Sequence, residues 1–280
     1  MEPQRYRRAL HVNGQDVLLN LHSTGTPQQP RLVLEVNGPQ VGAATLEAAG
    51  ATIQRAFNLD SDPAPYLDHV AGEPVLGPLA RRWAAIRPVL LLDPFEALLW
   101  AVLGQQINVA FTRKLKGVLV ELCGRHLVVD GERWPLFPTA EQVAALDPAQ
   151  LLARQFSRAK ARYVLDLSAA VASGELDLQA IGALPHSEAI AELTRQRGIG
   201  RWTAEYLLMR VYGDRDAMPA GDVSLHKIIG EAVVGRRVTE AELRELAKPW
   251  APWRGWAAFT FWMENQLANP RAFAPSLTPE

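Results

Sequence analysis

Asp222 is the acidic residue whose surroundings in the sequence best fit a chemical role. It follows Pro219-Ala220-Gly221 and precedes the helical pattern VSLHKIIG, so we expect it at the N-terminus of a helix. Backbone N–H groups there favour an ionised carboxylate, which can stabilise positive charge or take a proton. Most aspartates in this context only cap the helix, so the position alone is weak support for catalysis.

The segment RGIGRW, upstream of Asp222, predicts a tight turn between two helices. Gly198 and Gly200 permit positive φ on either side of Ile199, whose apolar side chain can pack back between those helices. The backbone N–H groups of such a turn point at one spot, which suits one phosphate and reads no sequence. A glycine pair after a helix is more often an ordinary helix end.

Trp202 and Tyr206 lie four residues apart in the helix predicted after this turn, so they share a face. An electron-rich indole face attracts a cationic ring by roughly 0.5 to 2 kcal/mol. Most other tryptophans are expected to pack in the core or between lobes. These are Trp83, Trp100, Trp134, Trp250, Trp253 and Trp256.

The elements that must position these residues change type near Thr45. Before it, segments 5–12, 15–23 and 31–36 read as strands with hairpin signals at Asn-Gly dipeptides, which predicts a small antiparallel sheet. After it, the apolar period is helical throughout. The predicted fold class is α+β, with a β-rich lobe at 1–85, a central helical lobe at 86–185 and a second helical lobe at 186–280 that holds the hairpin, Asp222 and a closing helix.

Capping patterns support the helices. Asn108 is a candidate N-cap, and the candidate capping boxes are Asp93-Pro94 with Glu96, Thr139 with Gln142, Asp147 with Gln150, and Thr239 with Glu242. After residue 139, the predicted helices cover residues 140–146, 148–154, 158–173, 187–196, 201–212, 223–234, 240–248 and 252–267.

The net charge of −1 argues against a grip on nucleic acid spread over the whole surface. Such a contact must be local, and three basic clusters are candidates, although runs of this kind are usually solvated helix faces. They are Arg113, Lys114 and Lys116; Arg154, Arg158, Lys160 and Arg162; and Arg195, Arg197 and Arg201.

Cysteine and apolar content exclude several classes of protein. The single cysteine, Cys123, excludes an intramolecular disulfide, a four-cysteine zinc site and a cysteine-ligated iron–sulfur cluster within one chain. No window approaches the roughly 18 uninterrupted apolar residues of a membrane span, and the N-terminus lacks an apolar signal core. We therefore expect a cytoplasmic monomer without a membrane partner or a cofactor.

GIGRWTAEY followed by MPAGDVSLHK resembles the helix-hairpin-helix superfamily of DNA glycosylases, in particular the DNA-3-methyladenine glycosylase II branch. DPFEALLWAVLGQQINVAFTRKL is similar to that branch's helix and Gln-containing turn, SRAKARYVLDLSAAVASGEL to its interdomain helix, and KPWAPWRGWAAFTFWMEN to its closing helix. With the N-terminal β lobe, the resemblance covers most of the chain.

The resemblance implies an enzyme of base excision repair that binds damaged double-stranded DNA. It would flip out alkylated purines such as 3-methyladenine or 7-methylguanine and hydrolyse the N-glycosidic bond. Asp222 would stabilise the oxocarbenium-like sugar and activate water, while Trp202, Tyr206 and Trp262 would form the base pocket. A bacterial source would place the enzyme at the nucleoid.

The resemblance also assigns the contacts to DNA. The implied residues are Gln105, Gln106 and Ile107 at a wedge turn and Gly198, Ile199, Gly200, Arg201 and Thr203 at the hairpin. A related enzyme has a leucine wedge where this chain has Gln106, so either Gln106 fills the gap or Ile107 takes part. Backbone carbonyls around Thr194, Gln196 and Ile199 would hold a monovalent cation as in relatives, and no other metal is implied.

Bifunctional relatives carry a lysine early in the helix after the hairpin, where this chain has Trp202, so we expect a monofunctional enzyme. The same absence disfavours an 8-oxoguanine-type glycosylase. A noncatalytic DNA-damage-binding protein and a generic helical interaction protein are further alternatives, and the joint presence of Asp222, Trp202 and Tyr206 disfavours both. Asp214 and Asp216 are reserve candidates for the carboxylate.

Overall fold

The structure is a computed structural model that describes residues 5–26 and 31–268. The chain forms two compact units, each built from two separate stretches: the first from Met1–Ala56 and Phe95–Leu178, the second from Phe57–Pro94 and Gln179–Glu280. The division into three parts made from the sequence stays a prediction. A small antiparallel sheet followed by a mostly helical body confirms the predicted fold class.

The strands are β1 (Arg5–Val12), β2 (Gln15–Ser23), β3 (Leu32–Asn37), β4 (His126–Val129) and β5 (Glu132–Pro135). The helices are α1 (Ala43–Ala56), α2 (Ala64–His69), α3 (Leu76–Arg82), α4 (Pro94–Gly104), α5 (Val109–Cys123), α6 (Ala140–Ala144), α7 (Pro148–Ala153), α8 (Arg158–Ala172), α9 (Leu178–Ile181), α10 (His186–Arg195), α11 (Arg201–Arg210), α12 (Val223–Val234), α13 (Glu240–Leu246) and α14 (Arg254–Ala268), with a 3-10 turn at Lys248–Trp250. Over the described residues, no helix has both the length and the apolar character needed to cross a membrane.

The predicted N-terminal sheet is confirmed, with antiparallel strands in the order β1-β2-β3. Asn13 (φ 49°) and Gly14 (φ 76°) form the turn between β1 and β2, and both φ values are positive as that turn requires. Val17 and Leu19 of β2 are fully buried at 0% exposure. Helix α1 packs against β1 and β3 and covers the sheet.

The prediction of helix throughout the chain after Thr45 is wrong at one place, where β4 and β5 form a second antiparallel hairpin. Asp130 (φ 51°) and Gly131 (φ 81°) make its turn, so Asp-Gly between two short apolar-containing runs was the signal that identifies it. Leu127 of β4 joins Ala9 and Leu18 of the N-terminal sheet in one buried cluster. That burial favours strand over helix for this segment.

Most of the predicted caps are confirmed. The Asn108 side chain accepts the N–H of Phe111 at 2.8 Å. Three of the four predicted capping boxes form: Thr139 with Gln142, Asp147 with Gln150, and Thr239 with Glu242. The box of Asp93 with Glu96 stays a prediction, although α4 begins at Pro94 as expected. The helices therefore begin where the sequence predicts, within a residue or two.

A largely buried carboxylate, 12% exposed, ties the sheet of the first unit to its helices. Glu96 on α4 forms ion pairs with Arg8 on β1 and with Lys116 on α5. Burial raises the pKa of Glu96, but the two cations outweigh burial and hold the pKa below its ordinary value. The first unit thus contains an ionised acid at the junction of three elements.

Aromatic residues form much of the core of the second unit. Trp250, Trp253 and Trp256 are 2%, 8% and 7% exposed, which confirms their predicted packing role. The start of α14 lies close to the loop that precedes α12. A Cβ at Gly255 would stand only 2.7 Å from the carbonyl oxygen of Ala217, so glycine permits the approach that sets the position of α14.

Candidate active site

The predicted glycine hairpin joins α10 to α11. Gly198 has φ 96°, in the left-handed region that favours glycine, whereas Gly200 has φ −88°, which any residue adopts. Positive φ was expected at both glycines that flank Ile199, and the structure has it at Gly198 but not at Gly200. Ile199 is buried as predicted. Among the described residues, nothing lies within 4 Å of the position that a Cβ on Gly200 would take, so the backbone there is uncovered.

The uncovered backbone stands at the start of α11, where N–H groups lack partners within the helix. That arrangement suits an anion. Thr203 is 1% exposed, backbone and side chain together, so the contact with DNA expected at this residue stays a prediction. The carbonyl of Gln196 accepts the Ile199 N–H at 3.1 Å, and the cation site expected from relatives stays a prediction.

Arg201, the first residue of α11, shares its charge with a buried acid. Its Nε donates to Oε1 of Glu205 at 2.9 Å, and the Glu205 side chain is only 3% exposed. Arg244 donates to both Glu205 oxygens, at 2.9 and 3.0 Å. The positive charge beside the hairpin is therefore already partly compensated within the unit.

The aromatic pair on α11 forms as predicted. The ring centroids of Trp202 and Tyr206 are 5.6 Å apart with 31° between the planes, and both residues are half-buried. A Cβ on Gly221 would lie 3.1 Å from the Cβ of Trp202, so the residue before Asp222 packs directly on this tryptophan. Sequence reasoning treated Gly221 only as part of a loop, yet its small size permits this loop to pack against Trp202.

Asp222 is the N-cap of α12, as predicted. Its Oδ1 accepts the N–H of Ser224 at 2.7 Å and that of Leu225 at 3.1 Å, and it also accepts the Ser224 hydroxyl. Among the described residues, its Oδ2 has no hydrogen-bond partner. Capping therefore occupies one oxygen and leaves the other available. The neighbouring Val223 is 62% exposed.

Ser224 connects the carboxylate to a residue of the predicted base pocket. Nε1 of Trp262, on α14, donates to the Ser224 hydroxyl at 3.2 Å, and that hydroxyl donates to Asp222. The structure thus joins two predicted site residues from different helices through one serine. Sequence reasoning missed Ser224, although a hydroxyl two residues after an N-cap aspartate is the signal that identifies it.

The reserve candidates, Asp214 and Asp216, are both engaged elsewhere. Asp216 accepts two N–H groups of Arg254, at 2.8 and 2.5 Å. Burial raises the pKa of Asp216, but the Arg254 contacts hold it below its ordinary value. Asp214 accepts the backbone N–H of Asp216 at 2.9 Å and contacts Nδ1 of His186 at 2.6 Å. Both carboxylates stabilise the loop before α12, which leaves Asp222 as the candidate.

The Gln-containing turn belongs to the first unit, between α4 and α5. Gln106 is exposed and has φ 60°, a left-handed conformation that is uncommon outside glycine. The Ile107 N–H reaches the carbonyl of Gly104 only at 3.5 Å. The turn therefore presents a polar side chain from a backbone that is only weakly bonded to itself.

Lys160 supports this turn from α8, a role that sequence reasoning missed. Its Nζ donates to the carbonyl oxygens of Val102, Leu103 and Gln105 at 3.3, 2.8 and 2.7 Å. Burial lowers the pKa of Lys160. In the sequence, Lys160 belongs to a basic cluster that was expected to be a solvated helix face. Its position in α8 did not distinguish it from the neighbouring arginines.

The neighbours of Lys160 do behave as a solvated face. Arg154 pairs with Glu121 at 2.6 Å and Arg162 lies 3.6 Å from Asp166, and all four side chains are well exposed. Such pairs contribute little to stability. In this basic run, Arg154 and Arg162 point to solvent, whereas Lys160 donates to backbone carbonyls at the end of α4.

Comparison with known proteins places this site in a family. Residues 99–252 match the model described as HhH-GPD superfamily base excision DNA repair protein. The chain is 36% identical over 211 residues to a DNA-3-methyladenine glycosylase of Bacillus subtilis (strain 168), covering 75% of this chain and 70% of that protein.

Two solved structures are similar as well. A 3-methyladenine DNA-glycosylase from Archaeoglobus fulgidus superposes with a TM-score of 0.82 at 23% identity, covering 95% of this chain and 88% of that one. A 3-methyladenine DNA glycosylase of Schizosaccharomyces pombe in complex with abasic DNA gives a TM-score of 0.62 at 26% identity, covering 73% and 98%.

The matched residues begin within α4 and include the glycine hairpin, α11 and the loop with Asp222. The resemblance inferred from the sequence is confirmed, because the family model spans more than half of the chain and the Bacillus relative is matched over most of its length. The chain belongs to the HhH-GPD superfamily of base excision DNA repair proteins.

Proposed function

We propose that the protein is a monofunctional DNA glycosylase that hydrolyses the N-glycosidic bond of alkylated purines in duplex DNA and leaves an abasic site. The observation that carries this proposal is the state of Asp222, with Oδ1 held by hydrogen bonds and Oδ2 left available among the described residues. The name of the Bacillus relative supports the class of substrate, and the abasic DNA bound to the Schizosaccharomyces relative is the product of such a reaction.

The chemistry requires little more than a fixed carboxylate. An alkylated purine such as 3-methyladenine carries positive charge on its ring, which makes it a good leaving group. As the glycosidic bond breaks, the sugar becomes oxocarbenium-like, and Oδ2 of Asp222 stabilises that charge. The same oxygen then takes a proton from the attacking water. Because Oδ1 is held by two N–H groups and a hydroxyl, the carboxylate does not have to reorient during the reaction.

The pocket residues account for selection of damaged bases. Taking a base out of the stack costs a few kcal/mol, and poorly paired damaged bases cost less. Trp202, Tyr206 and Trp262 offer faces that attract a cationic purine by roughly 0.5 to 2 kcal/mol. Gln106 or Ile107 fills the gap left in the duplex, and the N–H groups at the glycine hairpin hold a phosphate.

The helix after the hairpin bears on whether the DNA strand is cut after the base is removed. Its sequence, RWTAEYLLMR, contains no lysine, so it offers no amine for a Schiff base with the sugar. The strand therefore stays intact after the base is removed. The substrate places the enzyme with chromosomal DNA, at the nucleoid in the cytoplasm if the source is bacterial.

An excision assay with matched variants tests this function. Duplexes bearing 3-methyladenine, 7-methylguanine, ethenoadenine or hypoxanthine are incubated with wild type, Asp222→Asn and Asp147→Asn. Both aspartates are N-caps, and asparagine caps a helix about as well, so neither change should unfold the protein. We expect Asp222→Asn to bind DNA normally but to excise at least about a hundredfold more slowly, and Asp147→Asn to behave as wild type.

Two results would contradict the proposal in different ways. Normal release of 3-methyladenine by Asp222→Asn would remove the assignment of the carboxylate. Wild type that binds lesion duplexes tightly but releases no base would favour the noncatalytic damage-binding alternative.

A further inference from the structure

The Nζ group of Lys160 lies against the C-terminal end of α4 and donates to three backbone carbonyls there. The distances are 3.3 Å to Val102, 2.8 Å to Leu103 and 2.7 Å to Gln105. An ammonium group has three N–H donors, so these contacts use all of them. The side chain spans from α8 to the turn that carries Gln106.

The end of α4 favours a positive charge at the position of the Lys160 ammonium. The last carbonyls of a helix have no partner within the helix, and the helix dipole places negative charge there, so a cation is favoured. Lys160 is half-buried, so its ammonium is partly withdrawn from water, and this burial lowers its pKa. Among the described residues no carboxylate pairs with it. Its charge is therefore satisfied by backbone carbonyls alone.

Two backbone hydrogen bonds within the turn are long. The Gln105 N–H reaches the Val102 carbonyl at 3.4 Å, and the Ile107 N–H reaches the Gly104 carbonyl at 3.5 Å. Gln106 stands in the left-handed region at φ 60°. A non-glycine residue there is strained by about 1 kcal/mol and persists only when the surroundings fix it. Lys160 holds the residue immediately before it.

We propose that Lys160 is a positioning residue that fixes the Gln105–Gln106–Ile107 turn in the conformation that enters the duplex. The proposal rests on the proposed function, in which this turn fills the gap left by the flipped base. The lysine does not touch DNA and takes no part in bond cleavage. It lowers the cost of insertion by ordering the turn before DNA binds.

The test compares a duplex with a single strand, because only the duplex has a gap to fill. Both carry a tetrahydrofuran abasic analogue, which needs no chemistry, and binding is measured for wild type, Lys160→Met and Lys248→Met. The last variant removes one positive charge from an exposed lysine that pairs only with Glu245 in the described structure. We expect Lys160→Met to bind the duplex about tenfold more weakly, the size of one lost charged hydrogen bond, with single-strand binding and Lys248→Met unchanged.

A combined variant separates a positioning role from general destabilisation. In a background with both Gln106→Ala and Ile107→Ala the turn has lost both candidate inserting side chains, so adding Lys160→Met should weaken duplex binding much less than it does in wild type. Equal losses in both backgrounds, or an equal loss on single-stranded DNA, would overturn the inference. If Lys160→Met does not fold, Lys160→Gln, which loses the charge but keeps an N–H donor for the carbonyls, replaces it, and a smaller loss confined to the duplex is then expected.

This outcome is distinguishable from failure of the proposed function. Wild type that excises alkylated bases while Lys160→Met keeps a wild-type ratio of duplex to single-strand affinity overturns the positioning role alone. Wild type that excises no base overturns the glycosylase assignment, whatever the binding ratio shows.

Discussion

The indole N–H of Trp262 donates to the hydroxyl of Ser224 at 3.2 Å. Since that hydroxyl also donates to Asp222, the Ser224→Ala variant should lose the link between pocket and carboxylate while keeping the backbone cap. We expect kcat for 3-methyladenine release to fall about tenfold, the size of one charge-assisted hydrogen bond, with little change in KM. Single-turnover kinetics measure this.

Ser224→Thr is the matched control, because threonine keeps the hydroxyl on the same backbone position. Its activity should return towards wild type. An equal loss of kcat in the alanine and threonine variants would show that the hydroxyl of Ser224 does not support base release.

Gly200→Ala should separate DNA binding from folding. Because a Cβ there meets no described atom within 4 Å, the melting temperature should not change, whereas a methyl group beside the uncovered N–H groups should weaken binding to any duplex. Gly198→Ala is the contrast. Its φ of 96° strains an L-residue, so the free energy of unfolding should drop by about 1 kcal/mol. Calorimetry and duplex titrations measure the two effects, and a lower melting temperature for Gly200→Ala would count against this model of the hairpin.

Glu96→Gln should destabilise the protein in a manner that depends on pH. Arg8 and Lys116 hold the folded-state pKa of Glu96 below its ordinary value of 4.5, despite the opposing effect of burial. A depressed pKa contributes stability above the unfolded-state value, and that stability is lost as the pH falls through the folded-state value. We expect a loss of roughly 2 kcal/mol at pH 7, less than for a fully buried pair because both cations are partly exposed.

Denaturant unfolding at several pH values checks this prediction. The gap between wild type and Glu96→Gln should narrow as the pH is lowered below about 4.5. Glu121→Gln is the control, because its pair with Arg154 is exposed and its removal should change little. A gap that is constant with pH would show that the charge of Glu96 is not what stabilises the junction.

The strand should remain intact after excision. Purified protein and an alkylated duplex should yield abasic DNA that breaks only on heating, on treatment with alkali or on addition of a lyase, because α11 lacks a lysine. Borohydride should trap no covalent complex. Strand breaks or a trapped complex with pure protein would reveal an amine elsewhere that reaches the sugar.

Local signals in the sequence predicted the helices and the N-terminal strands well. Capping boxes such as Thr139 with Gln142 mark helix starts through contacts within four residues, so they can be recognised without a fold. The hairpin of β4 and β5 was missed because its strands are only four residues long, and Leu127 becomes a strand residue by packing against Ala9 and Leu18. The contact of Leu127 with Ala9 and Leu18 joins residues more than 100 positions apart, so no short stretch of sequence reveals it.

The same distinction applies to the site. Asp222, Trp202 and Tyr206 were predicted from spacing and resemblance, because each depends on its own helix. Lys160 acts through backbone carbonyls at the end of α4, so no local pattern shows its role, and for Ser224 the local pattern shows the contact with Asp222 but not the contact with Trp262 on α14. Side chains of common types that contact distant backbone or distant aromatic residues become visible only once the chain is folded.

The compensation of Arg201 by Glu205 bears on how the protein searches DNA. With a net charge of −1 and Arg201 paired with Glu205, less charge beside the hairpin is available to displace counterions from a duplex. For the proposed glycosylase we therefore expect short stays on undamaged DNA, and longer stays only where a base leaves the stack easily.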